Sequence, residues 1–169
     1  QHSGIDFRSL GRALISLGSG GGGSTITQQL AKLMFTQDPA RGILVRVLQK
    51  LKEWVIAIEI ERRYTKQEIL TMYLNKFDFL YQAVGIHSAS NVYFGKNPIE
   101  LNIEESALLV GMCKNPSYYN PARESRFELA KNRRNTVLGQ LRRNEFINDF
   151  ELDSLRSIPV NLNFNQIVR

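Results

Sequence analysis

Residues 22–32 read Gly-Gly-Ser-Thr-Ile-Thr-Gln-Gln-Leu-Ala-Lys, so that a glycine run leads directly into the start of a polar helix. Thr25 and Gln28 have the spacing of a capping box, which predicts that the helix begins here. The backbone N–H groups of a first helical turn and the positive end of the helix dipole favour an anion such as phosphate. Steps of three and four residues separate a polar face, expected to bind, from an apolar face, expected to pack. The polar face comprises Thr25, Gln28 or Gln29, and Lys32, and the apolar face comprises Leu30, Leu33 and Met34.

A predicted long helix from Ile43 to Arg63 carries a second polar cluster. Arg46, Lys50 and Glu53 follow one another at steps of four and three, so they share one face of that helix. A solvated ion pair on a wet surface would show the same spacing. Similarly, a solvated helix after a mobile linker would explain the glycine-rich segment. The residues of these two segments leave both alternatives open.

Helical periodicity dominates the rest of the chain and predicts about seven helices. One apolar stripe comprises Phe7, Leu10, Leu14 and Leu17, and another comprises Leu44, Val47 or Leu48, Leu51, Val55 and Ile58. Capping pairs predict further helix starts at Thr65 with Glu68, Asn102 with Glu105, Ser125 with Glu128, and Asn148 with Glu151. Residues 85–98 are predicted to be irregular, with a short strand at Val92 to Phe94, and residues 158–164 to be extended.

The chain has 169 residues, enough for one domain with a single core. Its formal net charge of +6 indicates an acidic partner, such as nucleic acid, anionic lipid or a pyrophosphate. The one cysteine, Cys113, lies in an apolar run and is expected to be a small core residue. No apolar stretch approaches the roughly 20 residues that span a bilayer. His2 and His87 lack companions at metal-ligand spacing, so neither supports a zinc site.

Five stretches together resemble the family 51 glycosyltransferases, which are the peptidoglycan-polymerising domains of class A penicillin-binding proteins and of monofunctional relatives. The resemblance covers positions 2 to about 140. The second family motif is similar to Gly-Gly-Ser-Thr-Ile-Thr-Gln-Gln at 22–29, and the tail of the first to His2-Ser3-Gly4-Ile5-Asp6. The third is similar to Lys50-Leu51-Lys52-Glu53, the fourth to Lys66 through Tyr73-Leu74-Asn75, and the fifth to Arg133-Arg134 with Val137-Leu138.

The resemblance implies an all-α, compact, lysozyme-like helical domain with a short irregular or extended C-terminal tail. Its expected bounds are 1–143, with 144–169 forming a short helix and an extended segment that leads toward a following domain. The implied reaction polymerises lipid II into β-1,4 glycan strands by inverting displacement of undecaprenyl pyrophosphate. A base must take the acceptor hydroxyl proton, while cations neutralise the charge that grows on the pyrophosphate.

The resemblance also implies roles for individual residues. Glu53 stands at the position of the second catalytic glutamate, where it would orient the leaving group or hold a divalent cation such as Mg²⁺ that bridges the phosphates. Apart from that cation, no cofactor is expected. Lys32, Arg46 and Lys50 are expected to neutralise pyrophosphate charge, and Ser24, Thr25, Gln28 and Gln29 to orient the sugar. Gln49 departs from the cation that the family usually has before the third-motif lysine.

The presumed general base of the family is the glutamate of a Glu-Asp-x-x-Phe-x-x-His-x-Gly motif. If His2 is the histidine of that motif, the glutamate stands seven positions earlier, before residue 1. The sequence as given is therefore expected not to polymerise glycan by itself. The fourth motif is expected to support the fold and not to contact the substrate, since Ile69, Leu70, Tyr73 and Leu74 form an apolar stripe.

The expected partners are lipid II, the growing glycan strand, the membrane surface and an attached transpeptidase domain, with no nucleic acid. The expected location is the bacterial plasma membrane, with the domain on its outer, periplasmic face. One alternative is a basic noncatalytic module that binds nucleic acid or anionic lipid, although a helix-turn-helix or zinc-finger pattern is missing. Another is a scaffold that docks on the membrane through residues 77–81, for which a role in the core is equally compatible with the sequence. Arg133 and Arg134 either brace the active-site carboxylates or lie on a wet helix face.

Overall fold

The computed structural model of the chain describes residues 24–36 and 42–165. Within these residues it contains seven α-helices and no β-strand, which confirms the all-α prediction. The helices are α1 (Ile26–Phe35), α2 (Ile43–Arg63), α3 (Lys66–Lys76), α4 (Ile86–Phe94), α5 (Ile103–Met112), α6 (Phe127–Arg143) and α7 (Asp149–Ser157). Two single turns of 3₁₀-helix occupy Pro98–Glu100 and Glu124–Arg126. The apolar stripe from Phe7 to Leu17 and the first-motif residues 2–6 lie outside the described residues. No helix in the described ranges is long and apolar enough to cross a membrane.

The chain divides into two compact units, one that ends at Lys76 and one that begins at Phe77. In the first unit α1 packs against both α2 and α3. Among the described residues of that unit, each of these three helices contributes buried apolar side chains: Leu30, Ala31, Ala57, Ile60, Ile69 and Tyr73. The predicted capping box of α1 is present, since Gln28 N donates to Thr25 Oγ1 at 3.2 Å and Thr25 N donates to Gln28 Oε1 at 3.3 Å. A side-chain hydrogen bond joins α1 to α2, because Thr27 Oγ1 donates to Glu61 Oε1 at 2.7 Å.

The predicted long helix has the expected bounds, but its apolar stripe is not the buried face. Leu44 is 80% exposed, and Leu48, Leu51, Val55 and Ile58 are also exposed. The side chains of α2 that are buried are Glu53, Ala57 and Ile60, on a different face. On α1, Leu33 and Met34 are likewise exposed, whereas Leu30 is buried. Periodicity identifies an apolar face but not what covers it, and the prediction that Leu33 and Met34 pack was wrong. Below, the exposed residues Leu44, Leu48, Leu51 and Val55 are called the apolar face of α2.

In the second unit, α6 packs against α5 and α7 around Ala107, Leu138, Ile147 and Leu152. The prediction of an irregular segment with a strand at residues 92–94 was wrong, because these residues end helix α4 and are buried there. Val92, Tyr93 and Phe94 favour strands by intrinsic preference, and burial of all three on a helix overrides that preference. Gly95 ends the helix in the left-handed conformation, at φ 64°.

Three of the other four predicted capping pairs form as expected. Glu68 accepts from Thr65 N, Glu105 accepts from Asn102 N, and Glu151 accepts from Asn148 N, at 2.7 to 2.9 Å. These bonds to Thr65 lower the pKa of Glu68. The pair at Ser125 and Glu128 does not form, because α6 begins two residues later, after a 3₁₀ turn, with no side-chain cap.

Residues 158–165 form the extended tail that the sequence predicted, and the tail docks on the second unit. Asn163 N donates to Tyr93 O at 3.0 Å and Asn165 N donates to Val92 O at 2.8 Å, so the tail satisfies carbonyls at the end of α4. The Phe164 ring lies 4.9 Å from the Tyr81 ring and 5.6 Å from the Tyr93 ring, measured between centroids. Burial in this cluster raises the pKa of Tyr93.

The turn that precedes α4 is strained. Leu80, Tyr81 and Gln82 have φ values of 71°, 51° and 63°, three successive residues other than glycine in the left-handed region. Each such residue costs about 1–2 kcal/mol relative to ordinary backbone. Because Gln82 is exposed, Gln82→Gly is expected to raise the free energy of unfolding by about 1 kcal/mol, as measured by chemical denaturation.

The same substitution at Gln140, an exposed residue of α6, is the matched control for that turn. In a helix, glycine is expected to lower the free energy of unfolding by about 1 kcal/mol. A Gln82→Gly variant that is destabilised as much as Gln140→Gly would show that the turn carries no strain that glycine relieves.

Candidate active site

The start of α1 and the middle of α2 bring the second and third motif segments into contact. The Lys50 ammonium donates to Glu53 Oε2 at 2.6 Å and to Ser24 Oγ at 3.4 Å. The pair of Lys50 and Glu53 follows from helical spacing, one turn apart on the same face. The contact with Ser24 does not, because Ser24 lies 26 residues earlier in the chain and meets Lys50 through the packing of α1 on α2.

Glu53 and Lys50 differ sharply in burial. The Glu53 side chain is 3% exposed, while the Lys50 side chain is 47% exposed. A buried carboxylate is costly unless a charged or hydrogen-bonding partner compensates it. Lys50 is that partner, and because its side chain is only half-buried, its remaining surface is accessible to a ligand. This asymmetry differs from the fully solvated ion pair that the sequence left as an alternative.

A hydrogen-bonded chain continues from Ser24 to α3. The Gln29 amide nitrogen donates to Ser24 O at 3.4 Å, and the Tyr73 hydroxyl donates to Gln29 Oε1 at 3.1 Å. The site therefore links Tyr73, Gln29, Ser24, Lys50 and Glu53 across the three helices described in the first unit. From its sequence context Tyr73 was expected to support the fold, and its hydrogen bond to Gln29 was not predicted. A tyrosine in an otherwise apolar stripe was the available signal, since a buried hydroxyl needs a hydrogen-bond partner.

The other predicted binding residues are either bonded within the helix cap or exposed to solvent. Thr25 and Gln28 bond to each other in the capping box, and Gln28 is buried, so both are committed to the start of α1. Lys32 and Arg46 are exposed, on α1 and α2 respectively. The first turn of α1 contains no acidic residue. Its helix N-terminus, Lys50 and these two cations together favour an anionic ligand.

A metal centre is not evident at this site. Among residues 24–36 and 42–165, no group of three or more His, Cys, Asp or Glu side chains is placed to hold a metal ion. The carboxylate in this network is Glu53, and it is bonded to Lys50. Mg²⁺ is usually held by one or two carboxylates together with substrate phosphates and water, so Glu53 is the carboxylate of this network that would contribute to such a site.

Two further groups of predicted residues lie in the second unit, in other roles. Phe77 and Phe79 are buried with their ring centroids 4.9 Å apart, so the core role that the sequence allowed for residues 77–81 holds for both. Arg134 is 1% exposed and donates to the carbonyl oxygens of Ile158 and Arg156 at 2.7 and 3.1 Å. It does not lie on a wet helix face, nor does it bond to a carboxylate of residues 24–36 or 42–165. Arg133 lies over the Tyr119 ring, 5.9 Å from its centroid.

Comparisons with known proteins found similar sequences that cover most of the chain. A family model described as Transglycosylase matches residues 1–142. Penicillin-binding protein 1A of Escherichia coli (strain K12) is 38% identical over 169 residues, covering 98% of this chain and 19% of the relative. Penicillin-binding protein 1F of Bacillus subtilis (strain 168) is 42% identical over 146 residues, covering 83% of this chain and 19% of the relative.

A solved structure is also similar. The crystal structure of penicillin-binding protein 1A from Haemophilus influenzae matches with a TM-score of 0.54 and 28% sequence identity, covering 81% of this chain and 17% of that one. The chain thus spans about a fifth of the length of the curated relatives it matches.

Proposed function

The chain belongs to the transglycosylase family found in class A penicillin-binding proteins, and from this premise we propose that it forms the glycosyltransferase domain of an enzyme that polymerises peptidoglycan glycan strands. The proposed substrate is lipid II, which is joined into β-1,4 glycan by inverting displacement of undecaprenyl pyrophosphate. The observation that carries the proposal is the contact of Lys50 with both Ser24 and Glu53 at the start of α1. That contact places a half-exposed cation beside a helix N-terminus, where a pyrophosphate can be bound from two sides.

The described residues have different roles toward the departing pyrophosphate and the sugar. Lys50 neutralises charge that develops on the leaving oxygen, which lowers the barrier most when the cation is already in place. Glu53 holds the Lys50 ammonium in position, because a salt bridge from a buried carboxylate restricts the lysine side chain. Ser24 and Gln29 present hydroxyl and amide groups to the sugar, with Thr25 and Gln28 capping the helix that carries them. Lys32 and Arg46 add positive charge at exposed positions.

Proton removal from the acceptor hydroxyl requires a second carboxylate at a distance from the leaving group. Glu53 is poorly suited to that role, since it is buried and bonded to Lys50. The proposal therefore assigns the general base to the glutamate of the family's Glu-Asp-x-x-Phe-x-x-His-x-Gly motif and not to Glu53. No step is routed through a divalent cation.

The exposed apolar face of α2 supports a location at the membrane. Contiguous exposed apolar side chains indicate an interaction surface, and this face lies on the same helix as Arg46, Lys50 and Lys52. Apolar side chains rimmed by cations favour the interface of an anionic bilayer. We place the domain on the outer face of the bacterial plasma membrane, within reach of its lipid-linked substrate. An attached transpeptidase domain and the bounds 1–143 and 144–169 belong to the same proposal.

A basic module that binds nucleic acid explains less of the geometry. Several cations of the second unit are engaged within it: Arg134 on carbonyl oxygens, Arg142 on Asp149, and Arg126 over the Tyr118 ring. Electrostatic binding to a phosphate backbone needs cations presented together to solvent. Binding of duplex DNA that weakens with salt, without binding of lipid pyrophosphate, would favour this alternative.

The proposal is tested by polymerisation of labelled lipid II. Full-length protein, including the upstream Glu-Asp segment, is compared with its Glu53→Gln variant and with residues 1–169 alone. We expect glycan strands from the full-length protein, a loss of about 100-fold or more in the variant, and none from residues 1–169, since removing a preorganised charge typically costs 10²–10³ in rate. Failure of the full-length protein to form strands, where a known synthase does, would reject the proposed function.

A further inference from the structure

We propose that Tyr73 is a positioning residue for this site, and that its hydroxyl sets the Gln29 amide so that Ser24 is held against Lys50. The inference rests on the proposed function for its consequence in catalysis. Its structural basis is the chain of hydrogen bonds that begins on α3 and ends at the Lys50 ammonium.

The first step concerns the orientation of the Gln29 amide. Tyr73 is 4% exposed, so its hydroxyl has little access to water and needs a protein partner. The Tyr73 hydroxyl donates to Gln29 Oε1 at 3.1 Å. An amide whose oxygen accepts on one side presents its NH₂ group on the other. The Gln29 nitrogen accordingly donates to Ser24 O at 3.4 Å.

The second step concerns Ser24. This residue directly precedes the capping residue Thr25, and its backbone carbonyl and its hydroxyl are bonded to different partners. The carbonyl accepts from Gln29 and the hydroxyl accepts from Lys50, both at 3.4 Å. Both bonds are near the upper limit of hydrogen-bond length, so a small displacement of Ser24 breaks either one. Loss of the Gln29 bond therefore frees Ser24 to move away from Lys50.

The apolar stripe of α3 explains the Tyr73 ring but not its hydroxyl. Ile69 is buried on the same face, and a phenylalanine at position 73 would preserve that packing. If the Tyr73 hydroxyl only stabilised the fold, its removal would lower stability and leave substrate binding unchanged. A hydroxyl that positions the site affects both, and this difference makes the inference testable.

The experiment compares Tyr73→Phe with Tyr93→Phe. Tyr93 is a matched control, because it is also buried and its hydroxyl donates to a backbone carbonyl, Phe79 O, at 2.7 Å in the other unit. Affinity for undecaprenyl pyrophosphate in detergent micelles and the denaturation midpoint are measured for each chain. We expect Tyr73→Phe to weaken binding about 3- to 10-fold, the value of one hydrogen bond. Tyr93→Phe is expected to lower the midpoint and leave binding unchanged.

Two further readouts address Gln29 directly. The side-chain amide resonances of Gln29 in ¹⁵N–¹H NMR spectra should shift in Tyr73→Phe and stay in place in Tyr93→Phe. On a Gln29→Ala background, Tyr73→Phe should cause no additional loss of binding, because both changes remove the same bond.

Unchanged binding together with unshifted Gln29 resonances in Tyr73→Phe would overturn the inference, as would additive losses in the double variant. If the parent chain fails to bind the pyrophosphate lipid, the proposed function is rejected instead. The Gln29 resonances still test the positioning by Tyr73 in that case, so the two failures are distinguishable.

Discussion

Lys50→Ala is expected to weaken binding of undecaprenyl pyrophosphate by about 10- to 100-fold, as measured by titration calorimetry in detergent micelles. A hydrogen bond to a charged group contributes about 1.5–3 kcal/mol, which corresponds to that range of affinity. The substitution removes the cation that contacts Ser24 and also leaves the buried Glu53 carboxylate without its partner. The same variant is therefore also expected to have a lower free energy of unfolding.

Lys52→Ala is the matched control for this prediction. Lys52 is exposed on the same helix, two residues from Lys50, and its removal changes the net charge of the chain by the same amount. We expect it to weaken binding less than 3-fold, since a solvated charge away from the ligand acts through a screened field. Equal losses in the two variants would mean that the site responds to overall charge, and the assignment of Lys50 to the pyrophosphate would be wrong.

Arg134→Ala is expected to have the largest effect on stability, lowering the free energy of unfolding by about 3 kcal/mol. The Arg134 guanidinium donates to Asn135 Oδ1 as well as to the carbonyl oxygens of Arg156 and Ile158. Its removal leaves these acceptors without their donor and opens a cavity at a position that is almost fully buried. Burial lowers the pKa of Arg134, and the nearby Glu104 carboxylate opposes that shift.

Local and global effects of this change can be separated by hydrogen exchange. Because Arg134 holds the end of α7 and the start of the tail, the amides of Asn163 and Asn165 should exchange faster in Arg134→Ala than global destabilisation alone explains. Arg143→Ala, on an exposed position of α6, is the control and should cost less than about 0.5 kcal/mol. A cost for Arg134→Ala no greater than for Arg143→Ala would show that the guanidinium does not hold the tail.

Local signals in the sequence predicted most helix starts correctly. Capping pairs at Thr25, Asn102 and Asn148 have their reciprocal bonds in the structure, because such pairs depend on residues three positions apart and little else. The same reasoning failed at Ser125, where a 3₁₀ turn precedes the helix, and at residues 92–94, where burial overrode strand preference. The errors fall where contacts from elsewhere in the chain decide the backbone.

The sequence by itself determined the all-α class, the bounds of the long helix, the pairing of Lys50 with Glu53 and the family. Each of these depends on spacing within a few turns of helix or on short motifs in order. Tertiary structure alone decided that Glu53 is buried while Leu44 is exposed, that Ser24 meets Lys50, and that Tyr73 bonds to Gln29. These contacts join residues 26 and 44 positions apart. Helical periodicity defines the faces of one helix, whereas burial and long-range hydrogen bonds depend on which face each neighbouring helix covers.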